Sequence, residues 1–392
     1  MRLILASERP PYPLFLGGAA RSAHQILHSI ATELGGECCA IGSGDYAKTP
    51  WRFPAEEEFG SLGIVGVALD DSIRGAGVVD CGYPVRIVAD FERALRQSIQ
   101  EFRPEVVWAQ LDGADSVLRI AHELGVQGLL FIHDAEFDAK ELRASAALGC
   151  HVVASSRFLA EKASRCIGRP VHVVYPPAIR YFDTAAAPDG YVTMINPHRV
   201  KGIDTFLEVA RRMPQTRFLL LESWKLGDEA LETLKRQLAS LPNVRFEHRV
   251  SDMRSIYRQT RLLLVPSRWE EGFGMVAIEA QSCGIPVVAS ARGGLPEAVG
   301  DGGILVADYT NPDAWLEALR QVLDNDETYR ELAHRARQHA ASDAFSTAAL
   351  ARKMLQICAS PPPSNGMLAR SINAARSRIA QMPLLARMLR RS

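Results

Sequence analysis

Short apolar runs alternate with amphipathic helical patterns along most of this 392-residue chain. Such alternation is typical of parallel strands joined by helices that cover both faces of a sheet. The predicted fold class is therefore α/β, with doubly wound, Rossmann-like sheets. One series of strands is predicted at 2–6, 38–42, 85–89, 105–110, 128–133, 151–155 and 171–175, and a second at 191–196, 216–222, 244–248, 261–266, 286–290 and 303–306.

The stretch "YPPAIRYFDTAAAPDG" at 175–190 interrupts this alternation with three prolines and no helical or strand period. Such a stretch suits an interdomain linker. We therefore predict two domains of similar size, at 1–178 and 179–342, and a hydrophobic content of 47% is enough for two cores. Two such domains would face each other across a cleft at the carboxyl ends of their strands, where open α/β sheets bind ligands.

Composition excludes several classes of protein. Lys+Arg and Asp+Glu are both 45, so the balanced charge gives no overall reason to expect nucleic acid as a partner. The seven cysteines form no CxxC pair and lie in or beside apolar patterns, which favours reduced core residues in a cytoplasmic protein. No run of about 18 apolar residues is present, and the N-terminus reads as a first strand rather than a signal peptide.

The end of the chain differs in character. "SPPPSNG" begins a predicted basic, flexible tail at 360–392, and within it residues 367–392 carry six arginines and no acid. Arginines interleaved with Met, Leu and Ile could lie on an anionic membrane surface, which would make the protein peripheral there, or on a polyanionic partner. Disorder is the alternative, since Pro383 interrupts any long helix.

The segment "WEEGFGMVAIEA" at 269–280 carries the strongest chemical signal. It follows a predicted strand, and a helix can run from about Phe273 to Gly284. The N-terminus of such a helix presents unpaired N–H groups and a positive dipole end, which suit a phosphate. Gly272 and Gly274 would let the backbone approach a ligand closely. The turn is therefore predicted to hold a diphosphate.

Two acids, Glu271 and Glu279, flank this turn with seven residues between them. Carboxylates repel phosphate, but they accept hydrogen bonds well from paired hydroxyls, as on a sugar or ribose. Alternatively, Glu271 could favour the helix dipole and Glu279 could lie on a solvated face. Because Glu279 is embedded in an apolar helix, where an acid without a partner is costly, we favour a nucleotide sugar as the ligand.

These residues lie in "PSRWEEGFGMVAIEAQSCGIPVVASARGGLPEAV", which resembles the donor-binding region of the retaining family-4 glycosyltransferases of the two-domain GT-B fold. The resemblance continues in "GGAARSAHQIL", "FIHD", "ASSRFL", "VVYPP" and "NPHRVKGIDTFLEVA". It implies that a sugar moves from a nucleotide-diphosphate sugar to an acceptor hydroxyl, with retention, by a front-face path. It also implies no cofactor and no metal. The helix at 343–359 resembles the one that crosses back to the first domain in this fold.

The resemblance assigns roles to individual residues. Glu279 would hold the ribose hydroxyls, Glu271 the hydroxyls of the transferred sugar, and Lys201 the diphosphate. The backbone amides that would meet the sugar and diphosphate belong to Phe273, Gly274 and Met275. The family commonly has an arginine six residues before the lysine, where this chain has Ile195. Arg199, or less readily His198, could supply the missing charge.

In the first domain, the resemblance implies that Gly17 and Gly18 pass under the diphosphate and the acceptor. It also places His133, at the carboxyl end of a predicted strand, beside the donor sugar, so that His133, Lys201 and Glu271 form the predicted catalytic set. A lone histidine there could equally be a structural hydrogen bonder. Asp134 is interpreted as a helix cap or as the group that orients His133.

Arg157 and Glu297 could each face the cleft. Arg157 could instead begin a helix that Ser156 caps, and Glu297 could cap or pair within its own domain. Two other functions stay open on the same fold. One is a catalytically degenerate protein that binds a nucleotide or a partner, and the other is a nucleotide-sugar epimerase.

Overall fold

A computed structural model describes residues 1–46, 55–69, 77–177, 181–250 and 252–361. Across these ranges, one sheet occupies the first part of the chain and a second sheet the later part. The strands of the first are β1 (Arg2–Ser7), β2 (Glu37–Ser43), β3 (Gly66–Leu69), β4 (Gly77–Asp80), β5 (Pro84–Val88), β6 (Val106–Gln110), β7 (Gln127–Ile132), β8 (His151–Ala154) and β9 (His172–Val173). Those of the second are β10 (Tyr191–Ile195), β11 (Phe218–Leu221), β12 (Val244–Glu247), β13 (Thr260–Val265), β14 (Val287–Ser290) and β15 (Gly303–Val306).

Helices connect these strands and cover both faces of each sheet. They are α1 (Gly18–Thr32), α2 (Phe59–Leu62), α3 (Phe91–Phe102), α4 (Ala114–Glu123), α5 (Ala139–Ala147), α6 (Arg157–Ile167), α7 (Ile203–Arg212), α8 (Asp228–Leu238), α9 (Arg254–Tyr257), α10 (Met275–Ser282), α11 (Leu295–Val299), α12 (Pro312–Leu323), α13 (Asp326–Ala341) and α14 (Thr347–Ala359). Short 3-10 turns lie at Glu56–Glu58, Arg199–Lys201 and Asp343–Phe345. Two apolar cores pack on the first sheet and two on the second, as expected for doubly wound domains.

The strand order within each sheet determines where a ligand can bind. The described strands run β3-β4-β5-β2-β1-β6-β7-β8-β9 in the first sheet and β12-β11-β10-β13-β14-β15 in the second. The direction of winding reverses between β1 and β6, and again between β10 and β13. A crevice opens at such a switch point, beyond the carboxyl ends of the strands. The loops that follow these four strands are therefore expected to form the site.

The two-sheet α/β architecture predicted from the sequence is confirmed, but the first sheet is not wholly parallel. β3 pairs antiparallel with β4, and β4 antiparallel with β5. This hairpin was not predicted from the sequence, because β3 and β4 have only four residues each and both begin with glycine, which is too short a pattern to show a period.

The last described helix belongs to the first domain in space. Leu350, Ala351 and Met354 of α14 are buried in the core that α1 and β1 share, although the chain reaches α14 only after completing the second sheet. None of the helices in the described ranges is long and apolar enough to span a bilayer. The basic segment 367–392, for which a membrane contact is predicted, lies outside the described residues.

Candidate active site

The loop after β10 delivers Lys201 to the switch point of the second sheet. It forms the 3-10 turn at Arg199–Lys201 and ends at Gly202, whose φ is 86°. A Cβ at Gly202 would lie 1.8 Å from the Pro266 carbonyl oxygen, so only glycine fits both the backbone conformation and the space. Val200 O also accepts backbone hydrogen bonds from Arg268 and Trp269, each at 2.9 Å. These contacts fix the loop after β10 against the loop after β13.

Lys201 forms a bidentate ion pair with Glu271. Its Nζ lies 2.7 Å from Oε1 and 2.8 Å from Oε2 of Glu271, and the Ser267 hydroxyl donates to the same Oε1 at 2.8 Å. The side chains of Lys201 and Glu271 are only 15% and 14% exposed, so solvent screens this pair weakly. The Lys201 ammonium also lies 4.7 Å from the ring centre of Trp224. Two residues predicted to contact different parts of a donor are thus directly paired.

The predicted helix begins at Met275, two residues later than expected, with Gly274 as its N-cap residue at φ 106°. No side chain caps α10, and its first turn contains no acid, so its N–H groups and dipole are not offset locally. The Phe273 side chain is 3% exposed and packs against Tyr175 and Phe345. Its burial anchors the turn that leads into α10.

Glu279, the fifth residue of α10, is 9% exposed, so the solvated-face alternative is wrong. Its Oε2 accepts a hydrogen bond from the Tyr257 hydroxyl at 3.0 Å. Burial raises the pKa of the Glu279 carboxyl, while the Tyr257 hydrogen bond and the charge of Arg21 act in the opposite direction. A buried carboxyl with so few partners is suited to accept hydrogen bonds from a ligand.

Gly272 brings the two domains together at the site. A Cβ on Gly272 would lie 1.9 Å from the carbonyl oxygen of His133, at the carboxyl end of β7. The His133 ring stacks on Phe131, and its Nε2 lies 2.9 Å from Gln110 Oε1. Burial lowers the pKa of His133 to about 3, so the imidazole is neutral near pH 7. With Nε2–H donated to Gln110, Nδ1 can accept a hydrogen bond.

Asp134 has neither of the roles predicted for it. Asp138 caps α5, accepting from Lys140 N and Glu141 N, and the partner of His133 is Gln110. Desolvation at the cleft raises the pKa of the Asp134 carboxyl.

The remaining predicted donor residues occupy different positions around the cleft. Gly17 is the N-cap residue of α1 and Gly18 its first residue, so the glycine pair begins a helix rather than only forming a turn. Arg199 is exposed, and His198 Nε2 lies 3.4 Å from Trp224 O. Ile195 is 9% exposed and packs in a core of the second sheet.

The alternatives for Arg157 and Glu297 are resolved by an interdomain contact. Arg157 begins α6 with Ser156 as its N-cap, as the second alternative predicted. Among the described residues, the side-chain partners of Glu297 lie in the first domain rather than in its own. Its carboxylate accepts hydrogen bonds from the backbone N–H groups of Arg157 and Phe158, each at 2.8 Å.

Three residues of the site, Ser267, Tyr257 and Arg21, were not predicted from the sequence. Ser267 and Tyr257 carry no local signal, because each reaches its acidic partner only through the fold of the second domain. Arg21 follows the Gly17–Gly18 pair by one helical turn, which could have marked it as a first-turn residue facing the cleft. The seven cysteines are free, and six of them are buried, whereas Cys166 is partly exposed rather than a core residue. Within the described ranges, no cluster of three or more His, Cys, Asp or Glu residues could hold a metal ion.

Comparison with known proteins finds similar sequences and structures. Residues 191–339 match the family "Glycosyl transferases group 1". A curated relative, the D-inositol 3-phosphate glycosyltransferase of Corynebacterium kroppenstedtii, is 31% identical over 63% of this chain and 53% of its own length. The Corynebacterium diphtheriae protein of the same name is 43% identical over 31% of this chain and 28% of its own length. The chain thus spans about half or less of these relatives.

Solved structures extend the similarity to nearly the whole chain. HepE from Anabaena, in complex with UDP and glucose, superposes with a TM-score of 0.71 at 17% identity, covering 91% of this chain and 98% of HepE. Sucrose-phosphate synthase from Thermosynechococcus elongatus superposes with a TM-score of 0.68 at 18% identity. The superposition covers 95% of this chain and 99% of the synthase. The chain therefore has the two-domain GT-B fold of these structures, and its residues 191–339 match the family model of the glycosyl transferases group 1.

Proposed function

We propose that this protein transfers a sugar from a nucleotide-diphosphate sugar to an acceptor hydroxyl with retention of configuration. The observation that supports this most directly is the Lys201–Glu271 pair beside the uncapped N-terminus of α10. The pair places a cation and a hydroxyl acceptor next to a helix end that favours phosphate. A donor with a sugar on one side and a diphosphate on the other matches this arrangement.

In this proposal a different carboxyl group of the protein binds each end of the donor. Glu279, held by Tyr257, accepts hydrogen bonds from the ribose hydroxyls, and Glu271 accepts them from the transferred sugar. Two acids acting as an acid and base pair would instead flank the glycosidic bond. Here Glu271 is bound to Lys201 and Glu279 is buried behind the helix start, which suits recognition better than proton transfer.

Charge stabilisation at the leaving diphosphate is the proposed source of catalysis. An ammonium has three N–H donors, so Lys201 can keep Glu271 and still donate to a phosphate oxygen. The α10 N-terminus adds its dipole as the negative charge of the leaving group grows. We propose a front-face path in which the departing phosphate oxygen takes the proton of the acceptor hydroxyl. These groups supply positive charge without a divalent metal, and we propose that none is needed.

His133 is proposed to act at the sugar from the first domain. It is neutral and held by Gln110, so it offers Nδ1 as a hydrogen-bond acceptor for a sugar hydroxyl. A neutral ring avoids a positive charge beside an oxocarbenium-like transition state, where it would be repelled. UDP is the first nucleotide to test, because HepE was solved with UDP and glucose and shares this fold.

The test is a transfer and hydrolysis assay of the full chain with UDP-, GDP-, ADP- and dTDP-sugars, with the anomeric configuration of the product read by NMR. We expect release of the nucleoside diphosphate and a product with the donor's configuration, both unchanged by EDTA. Nucleotide binding without diphosphate release would favour a degenerate binding protein. Epimerisation of the donor without transfer would favour the epimerase. An inverted product, or loss of activity in EDTA, would refute the retaining or metal-independent part alone.

A further inference from the structure

The N-termini of two helices from different domains meet at one point of the cleft. A Cβ on Gly18, the first residue of α1, would lie 2.7 Å from Sδ of Met275, the first residue of α10. Neither helix has a side-chain cap or an acid in its first turn. The first N–H groups of both helices are therefore left without side-chain caps where the two helices approach each other.

Arg21 lies at this meeting point. It follows Gly18 by three residues, and residues with this spacing share one face of a helix. Its Nε is buried and has no hydrogen-bond partner among the described residues. A buried guanidinium N–H without a partner is unfavourable, because it has lost its hydration without replacement. The Nε–H of Arg21 can therefore donate a hydrogen bond to a ligand.

The electrostatic surroundings of Arg21 come from both domains. Its charge acts on the hydroxyl of Tyr12 in the first domain, and on the hydroxyl of Tyr181 and the carboxyl of Glu279 in the second. Of these three groups, only the Glu279 carboxyl is an acid that can carry a negative charge at neutral pH. By contrast, Lys201 has both oxygens of Glu271 as close partners. Among the described residues, Arg21 has no ion pair as close as that of Lys201, so its positive charge is less neutralised.

We propose that Arg21 binds the diphosphate of the donor from the first domain and positions it between the starts of α1 and α10. This inference rests on the proposed function and adds a residue to it. Ile195, where resemblance predicts an arginine, is instead packed in the core, so the second domain supplies less charge at that position. Because α1 and α10 belong to different domains, a diphosphate held by Arg21 and α10 would also hold the two domains together.

The experiment compares two substitutions at Arg21 in the full chain. Arg21→Met removes the charge with a side chain of similar length, and Arg21→Lys keeps it. The matched control is Arg93→Met, at an exposed position of α3. Calorimetry measures the binding of UDP, GDP and ADP and, separately, of the corresponding nucleosides. Thermal unfolding without ligand shows that each variant folds.

We expect Arg21→Met to weaken binding of the preferred nucleoside diphosphate about 10- to 100-fold, as for loss of a charge-assisted hydrogen bond. Binding of the nucleoside should be unchanged, Arg21→Lys should regain part of the loss, and Arg93→Met should match the wild type. Equal weakening of nucleoside and diphosphate would refute the inference, since it would indicate a structural role. Unchanged diphosphate binding in Arg21→Met would refute the inference but leave the proposed function intact. A wild-type protein that binds none of the diphosphates would refute both.

Discussion

Glu297 of the second domain accepts a hydrogen bond at 2.8 Å from the backbone N–H of Arg157, the first residue of α6 in the first domain. The same carboxylate accepts from Phe158 N–H and from the Tyr175 hydroxyl, each at 2.8 Å. Burial and the Glu297 carboxylate together raise the pKa of Tyr175 to about 12, so its hydroxyl stays a donor at neutral pH. One acid of the second domain thus caps a helix of the first and also holds the start of the linker.

Glu297→Ala should loosen the domain interface. It removes three hydrogen bonds and leaves two N–H groups at a helix start without their acceptor. We expect the free energy of unfolding to fall by about 1–2 kcal/mol, the usual cost of losing a helix cap. We also expect a larger radius of gyration in small-angle X-ray scattering.

Glu270→Ala is the matched control for Glu297. Glu270 pairs across the same interface with Lys162 at 2.9 Å, but the two side chains are 39% and 36% exposed. Exposed ion pairs contribute below about 1 kcal/mol, so this variant should stay close to the wild type. If the two variants lost equal free energy of unfolding, helix capping by Glu297 would not explain the loss.

Lys201→Met should reduce sugar transfer about 100- to 1,000-fold, the typical loss when one group that stabilises transition-state charge is removed. Glu271→Gln should also reduce transfer, because the amide weakens both the pairing with Lys201 and the acceptance of sugar hydroxyls. Steady-state rates with saturating donor measure both effects. Lys235→Met is the control, since Lys235 pairs with Glu232 on the exposed side of α8. Full activity in Lys201→Met would show that Lys201 does not contribute to sugar transfer.

Gly272→Ala should separate the two domains at the site. The added methyl would lie 1.9 Å from His133 O, which forces either the turn or the end of β7 to move. We expect transfer activity to fall at least tenfold, because a small displacement of positioned groups can cost about 100-fold. Gly227→Ala is the control, since a Cβ there meets nothing within 4 Å. Equal activity of the two variants would contradict the close approach.

Stability should depend on His133 at acidic pH. Its pKa is lowered to about 3 in the folded protein by burial, whereas an unfolded histidine titrates near pH 6.5. Between these values the unfolded state binds the additional proton, so stability decreases as the pH falls from about 6.5 towards 3. His24, whose pKa burial also lowers to about 3, contributes in the same direction.

Denaturation of His133→Gln at several pH values checks this dependence. The variant should lose less stability than the wild type between about pH 6.5 and 3, because one proton-binding difference is gone. Identical slopes for the two proteins would mean that His133 is protonated in the folded state in this range.

Much of the fold could be predicted from local pattern. The buried strands β1, β6, β10 and β13 are short and mostly apolar runs, and Asn311 and Pro312 are typical of a helix start, here that of α12. The β3–β4 hairpin could not be predicted, because pairing along a sheet edge depends on neighbours rather than on the residues of a short strand. The same limit applies to Glu297, whose partners are 140 and 139 residues away.

Local pattern was enough to predict the alternation that builds two doubly wound domains and the Gly-Phe-Gly turn before α10 between two acids, because period, glycine and helix start are properties of neighbouring residues. Which charges meet depends instead on how the domains pack. Lys201 reaches Glu271 across 70 residues of chain, and Arg21 acts on Glu279 from the other domain. The physical reason is that pairing and burial of charge depend on distance in space, which the packing of two sheets and their switch points determines.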